Sequence, residues 1–133
     1  GAAIVPVWLS QSLLVGTGGF VGAVLRFGVS GAVQRSAGFS SFPYGTLVVN
    51  VAGCLVIGLL SGLAESRQVL TPEARLLLLI GVLGSFTTFS TFGYETLTLL
   101  RDGALLRAVA NVMLHVGLGL GAAWGGLALS RAL

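Results

Sequence analysis

Between Leu76 and Leu100 an apolar segment long enough to cross a bilayer is interrupted near its middle. The interruption, Gly81-Val82-Leu83-Gly84-Ser85-Phe86-Thr87-Thr88-Phe89-Ser90-Thr91-Phe92, holds two glycines, five hydroxyl side chains and three phenylalanines. A bilayer interior offers no water to backbone or hydroxyl groups. Irregular chain at that depth persists only where protein covers it or where it lines a wet cavity. The stretch therefore reads as a broken helix at a functional centre.

The bilayer itself follows from charge. Only 8% of the 133 residues are charged and 55% are hydrophobic, against about 25% charged in soluble domains. A crossing helix needs ~20 residues, so four crossings nearly exhaust the chain. The expected fold is an all-α membrane protein, one four-helix domain over residues 1–133. The net charge of +3 comes from seven arginines and no lysine. Most arginines fall at helix ends, where they suit lipid headgroups better than nucleic acid. Cys54 is alone, so one chain can form no disulfide or cysteine metal cluster. No cleavable signal peptide is evident, and a start at Gly1 suggests a trimmed or engineered N-terminus.

Span 1 is expected over Val7 to Val33, with Trp8 as an interfacial anchor and Gly18-x-x-x-Gly22 as a close-packing face. Arg26 lies inside it. The loop Gln34 to Pro43 ends in Phe42-Pro43-Tyr44, a boundary signal. Span 2 covers Gly45 to Ala64, apolar except for Thr46, Asn50 and Ser61. Thr46 and Asn50, four apart, share a face. In the loop Glu65 to Glu73, Thr71-Pro72-Glu73 fits a helix cap with Pro at the first position. Span 3 covers Ala74 to Leu100, with the break inside it and Glu95 in its second half. After the short loop Arg101 to Arg107, span 4 covers Ala108 to Leu129. It carries Asn111 and His115, four apart, then Gly117-x-x-x-Gly121-x-x-x-Gly125 as a close-packing face. Trp124 suits the interface at its far end.

Four spans put both termini and the second loop on one side, with Arg67, Arg75 and Arg131. Arg35, Arg101 and Arg107 fall on the other. The arginine bias that orients membrane proteins is thus tied. Either other signals decide the orientation, or the chain inserts both ways and pairs with an inverted copy. Four short helices can hardly enclose a pore and still pack, so self-association is expected in either case. An inverted pair has the symmetry of inverted-repeat transporters, whose sites lie near the midplane.

Phe89 and Phe92, three apart, share a helical face among Thr87, Thr88, Ser90 and Thr91. They could face lipid or pack. Interleaved with hydroxyls, they also suit a pore, because the edge of an aromatic ring is positive and attracts anions without a full charge. The Asn50 amide and the hydroxyls are hydrogen-bond donors of the same use. A break at Gly84 to Thr87 would free carbonyls able to coordinate a small cation; alternatively Gly81 and Gly84 only permit close packing. Arg26 and Glu95 both lie toward one membrane face. Intramembrane ionisable groups pair or face water, so Glu95 reads as a structural pair member and Arg26 as a vestibule charge that concentrates anions. His115 reads as a packed, hydrogen-bonded histidine before a proton carrier.

Gly84 to Phe92, together with Gly45-Thr46-Leu47-Val48-Val49-Asn50 and Gly19 to Arg26, resembles the CrcB/Fluc fluoride channels over essentially the whole chain. The resemblance implies antiparallel, dual-topology homodimers with two pores in a prokaryotic plasma membrane. It implies a structural sodium ion at the dimer interface, on the carbonyls of Gly84 and Thr87. It assigns Phe89 and Phe92 as pore phenylalanines, Asn50 as pore amide and Thr46 as a pore-side hydroxyl, with Ser90, Thr91 and His115 along the same track. Arg26 matches the vestibule arginine and Glu95 the acid after the motif. Ser85 stands where glycine is expected, and His115 where a small polar residue is expected.

The expectation is a passive exit pathway for fluoride, which enters cells as neutral HF and is trapped on ionising. A negative interior assists its exit by about 2.3 kcal/mol per charge per 100 mV. The alternative, a small dual-topology proton-coupled multidrug exporter, depends on an acid in the first span, where this chain has Arg26. A non-transporting assembly subunit would lack the polar track. An enzyme is not expected, since no nucleophile, base and orienting group occur together.

Overall fold

The structure, a computed structural model, describes residues 4–38 and 40–133. The expectation for Gly1, and Phe39 of the first loop, lie outside the described residues. Four helices are long and apolar enough to cross a membrane: α1 (Val7–Ser36), α2 (Tyr44–Arg67), α3 (Pro72–Arg101) and α4 (Leu105–Ala132). Each runs a few residues beyond the apolar run that announced it. Polar residues at the ends can stay helical in the headgroup layer, where the apolar criterion no longer applies.

Local chemistry sets the ends. α2 starts directly after Pro43, as the Phe42-Pro43-Tyr44 signal requires. Gln34 of α1 clamps that start: its Oε1 accepts from the Gly45 N–H (3.1 Å) and its Nε2 donates to the Phe42 carbonyl (3.1 Å). Thr71 caps α3 by accepting the Ala74 N–H at 3.1 Å, with Pro72 in the first turn. The connection from α3 to α4 turns at Gly103, whose φ of +75° suits glycine.

α3 is irregular along much of its length. Leu76–Leu83 is wound as a π-helix, a rare form that is frequent at functional sites. One further helical turn, Gly84–Phe86, follows. Thr87 (φ −88°, ψ 156°) and Thr88 (φ −151°, ψ 118°) are extended, and the helix resumes at Phe89. The break foreseen between Gly84 and Thr87 thus centres on the two threonines.

Glycines decide the packing. α1 lies against the first half of α3: a Cβ at Gly18 would strike the Leu77 carbonyl, and one at Gly22 the Val82 carbonyl. The Gly18-x-x-x-Gly22 face is therefore used as expected. α2 lies against α4 through Gly58 on Ala123 and Gly126 on Leu55. Within the single chain the expected stripe of α4 is not the face used. Gly117 and Gly121 have nothing within 4 Å of a built Cβ, and neither has Gly125. The face of α4 that meets α2 carries Gly119 and Gly126 instead, because the helix is rotated to bury Asn111 and Ser130. Spacing identifies a smooth stripe but not the side on which a neighbour lies.

The interior is small, with Val49 and Asn111 the largest fully buried side chains among the described residues. Phe20, Phe27 and Leu106 are largely exposed. That distribution is inside-out for water and ordinary for a bilayer.

Candidate functional site

Asn50 builds the centre of the site. It sits in the first half of α2, facing the break. Its Oδ1 accepts the Thr88 N–H at 2.8 Å and its Nδ2 donates to the Thr88 carbonyl at 3.1 Å. One side chain thus satisfies both backbone groups of the residue that has left the helix. In lipid those groups would otherwise cost several kcal/mol each, on the order of the full desolvation penalty.

The break then releases carbonyls in a definite pattern. In a continuous α-helix the Gly84 carbonyl would take the Thr88 N–H, but that hydrogen goes to Asn50. The Thr87 carbonyl would take the Thr91 N–H, but that hydrogen goes to the Thr88 hydroxyl at 3.2 Å, the cap of the second half-helix. The Ser85 carbonyl finds a substitute donor in Arg26, whose Nε lies 3.0 Å away. Gly84 and Thr87 are thus the two carbonyls whose helical donors have been taken by side chains. Hard oxygen donors of this kind fit a small alkali cation. The two readings of the glycines also separate. Gly81 packs against Gly18 and Val15, whereas a Cβ at Gly84 would find only the Leu79 carbonyl, at 3.8 Å.

A cavity of about 520 Å³ opens beside the break. Asn50, Gly84, Thr87, Phe89, Phe92 and His115 all line it. The Phe89 and Phe92 rings are 5.4 Å apart between centroids and tilted by 52°, and the Phe92 ring lies 4.3 Å from that of His115. Phe89 is 83% exposed, so a single chain leaves its ring almost uncovered.

Other expected residues lie off the cavity. Thr46, buried, donates its hydroxyl to Glu95. Glu95 therefore bonds a hydroxyl of α2 and not the ionisable partner that the pair reading called for. Its partner is not Arg26, which is drawn to the Ser85 carbonyl of the first half-helix. Thr91 and Ser90 cluster with the Thr88 hydroxyl at 3.1 and 3.4 Å. His115 is hydrogen-bonded on both ring nitrogens: Nε2 is 3.0 Å from Asn50 Nδ2, and Nδ1 is 3.1 Å from both the Asn111 carbonyl and its Oδ1. Asn111, fully buried, was legible as His115's neighbour on one helical face, but sequence alone gave it no task. Ser85 is accommodated by a glycine across the helix pair: a Cβ at Gly19 would come within 3.1 Å of Ser85 Oγ.

Residues 13–127 match the family described as CrcB-like protein, Camphor Resistance (CrcB). The chain is 45% identical over 121 residues to the fluoride-specific ion channel FluC of Methylobacillus flagellatus, covering 91% of this chain and 94% of that one. It is 49% identical over 104 residues to fluoride-specific ion channel FluC 1 of Methanosarcina acetivorans, covering 78% of each. It is 52% identical over 104 residues to FluC of a Sulfurovum species, covering 78% and 80%.

Proposed function

The chain belongs to the CrcB family, and we propose that it carries fluoride passively across the membrane along the face of its broken third helix. It is a fluoride channel that crosses a prokaryotic plasma membrane with four helices. The observation that carries the pore assignment is the convergence of Asn50, Phe89, Phe92 and His115 on one cavity at the break. The alternative of a proton-coupled multidrug exporter has no support from the three relatives described above, each named as a fluoride channel.

An anion leaving water must be offered donors in place of its hydration shell. The Asn50 amide supplies hydrogens at the break, and the edges of Phe89 and Phe92 supply positive density beyond it. Neither carries a full charge, so the ion is attracted without being trapped. Thr46, Ser90 and Thr91 extend the hydroxyl track toward the second half-helix, and Arg26, held at the Ser85 carbonyl on the other side of the break, raises the local anion concentration there. Passive flux needs no chemical step.

The functional unit in this reading is a homodimer of inverted copies. The near-uncovered Phe89 ring and the uncovered glycine stripe Gly117-Gly121-Gly125 support it. A structural sodium ion then fits between the copies, held by the Gly84 and Thr87 carbonyls of both. Purified protein in proteoliposomes tests the function. Fluoride efflux without chloride efflux is expected, and equal flux of the two anions would overturn the reading.

A further inference from the structure

A continuous chain of hydrogen bonds runs from the Phe92 carbonyl to the backbone of Thr88. The Thr96 hydroxyl donates to the Phe92 carbonyl at 2.8 Å, and Asn111 Nδ2 donates to that hydroxyl at 2.9 Å. Asn111 Oδ1 meets His115 Nδ1 at 3.1 Å, and His115 Nε2 meets Asn50 Nδ2 at 3.0 Å. Asn50 Oδ1 takes the Thr88 N–H at 2.8 Å. The chain joins α2, the break at Thr88, the second half of α3 and α4.

Its direction is fixed from both ends, because a carbonyl can only accept and an N–H can only donate. From Phe92, the Thr96 hydrogen is committed, so the hydroxyl accepts from the Asn111 NH2 group. Asn111 then turns its oxygen to His115, whose Nδ1 must carry a hydrogen. From Thr88, the Asn50 oxygen is committed to the backbone N–H, so its NH2 group faces His115. Nε2 must then be a bare lone pair. The two derivations share no step and require the same tautomer. The Asn111 carbonyl, 3.1 Å from Nδ1, requires it a third time.

We propose that Asn111 and His115 are positioning residues for the pore amide: Asn111 holds His115 as its Nδ1–H tautomer, and the Nε2 lone pair then holds the second amide hydrogen of Asn50. This rests on the reading of Asn50 as pore amide. One Asn50 hydrogen is committed to the Thr88 carbonyl and helps keep the break open. The other can be lent to an anion while the break stays intact. His115 is the acceptor that keeps this second hydrogen in place between ions, with its ring braced on Phe92 at 4.3 Å.

The chain contains a single histidine, so nitrogen-labelled histidine reports on His115 alone. In liposomes at neutral pH, the spectrum should show a protonated Nδ1 and an unprotonated Nε2. An Nε2 that carries the proton would overturn the proposal. Efflux supplies the second arm. His115→Leu removes the acceptor and should cut fluoride efflux at least about tenfold, the factor that goes with stranding one buried donor. His115→Gln can place an oxygen near the Nε2 position and should keep most of the flux. Equal flux from the two variants would overturn the proposal, and if neither assembles, the spectrum of the unsubstituted protein decides. Absent efflux from the unsubstituted protein, whatever its spectrum, would instead overturn the channel reading beneath it.

Discussion

Asn50 holds Thr88 by both backbone groups, accepting its N–H at 2.8 Å and donating to its carbonyl at 3.1 Å. Among the described residues no other side chain holds both backbone groups of one residue, and this makes the interruption of α3 a built feature. The Gly84 carbonyl is released because its helical donor has been claimed by α2. Asn50→Ala removes the competitor, so the Thr88 N–H can return to Gly84 and the helix can heal. Asn50→Asp keeps the acceptor but loses both donors and sets a carboxylate beside the anion path. Both variants should lose at least about tenfold in fluoride efflux, by analogy with other buried donors. Only Asn50→Ala should also close the break, because Asn50→Asp still offers the Thr88 N–H an acceptor. Full efflux from Asn50→Asp would remove the amide from the pore.

Ser85 and Gly19 make a reciprocal pair, with the glycine leaving room for the hydroxyl. Gly19→Ala forces a Cβ within 3.1 Å of Ser85 Oγ. The Ser85 hydroxyl must give by a few tenths of an ångström, so the cost falls at or below the low end of the ~1–3 kcal/mol of core overpacking. Ser85→Gly should be tolerated alone and should restore most of the stability lost in Gly19→Ala. A thermal-unfolding double-mutant cycle in detergent reads the coupling. Additive effects would mean that the two positions do not share this space.

The four spans and the break were legible because lipid imposes a simple rule on long apolar runs, and polar residues inside such a run stand out. Thr71-Pro72 and Phe42-Pro43 announced their helix starts, since capping is local chemistry. What stayed hidden depends on contacts between distant segments. The stripe Gly117-Gly121-Gly125 is as smooth as the one α1 uses, yet α4 turns Gly119 and Gly126 to α2. Thr46 and Asn50 share a face but part ways, one to Glu95 and one to the break. Arg26 reads from sequence as a vestibule charge, and nothing in the sequence shows that its Nε donates to the Ser85 carbonyl released by the irregular backbone. Asn111 showed the same spacing from His115 that Thr46 shows from Asn50, and nothing in the spacing told which pairs are coupled.

Arginines stand three against three on the two sides of the membrane, so charge gives insertion no direction. Cysteines introduced near the termini and labelled from outside intact cells should be found in both orientations. A single orientation in every molecule would sink the inverted homodimer.

The released carbonyls of Gly84 and Thr87 set an expectation for sodium. An ion shared by such carbonyls between two copies is structural and is not carried with fluoride. Fluoride efflux should not respond to a sodium gradient, while prolonged sodium removal should weaken the dimer. Sodium moving in fixed ratio with fluoride would refute this.

Phe89 and Phe92 separate ring electrostatics from bulk. Their rings lie 5.4 Å apart on the cavity wall, and Phe92 also braces His115. If positive ring edges meet the ion, an apolar side chain without a quadrupole cannot replace them. Phe89→Ile and Phe92→Ile should each cut fluoride efflux strongly while the dimer still forms on size exclusion. Phe89 is 83% exposed in the single chain, so its substitution leaves little packing to lose within that chain. Phe86 is the internal control. It is half-buried, and a Cβ at Gly53 would lie 3.5 Å from its ring, so its contact is with α2. Phe86→Ile should lower stability more than flux. If Phe86→Ile abolished efflux while Phe89→Ile and Phe92→Ile conducted normally, the ion path would run along a different face of α3.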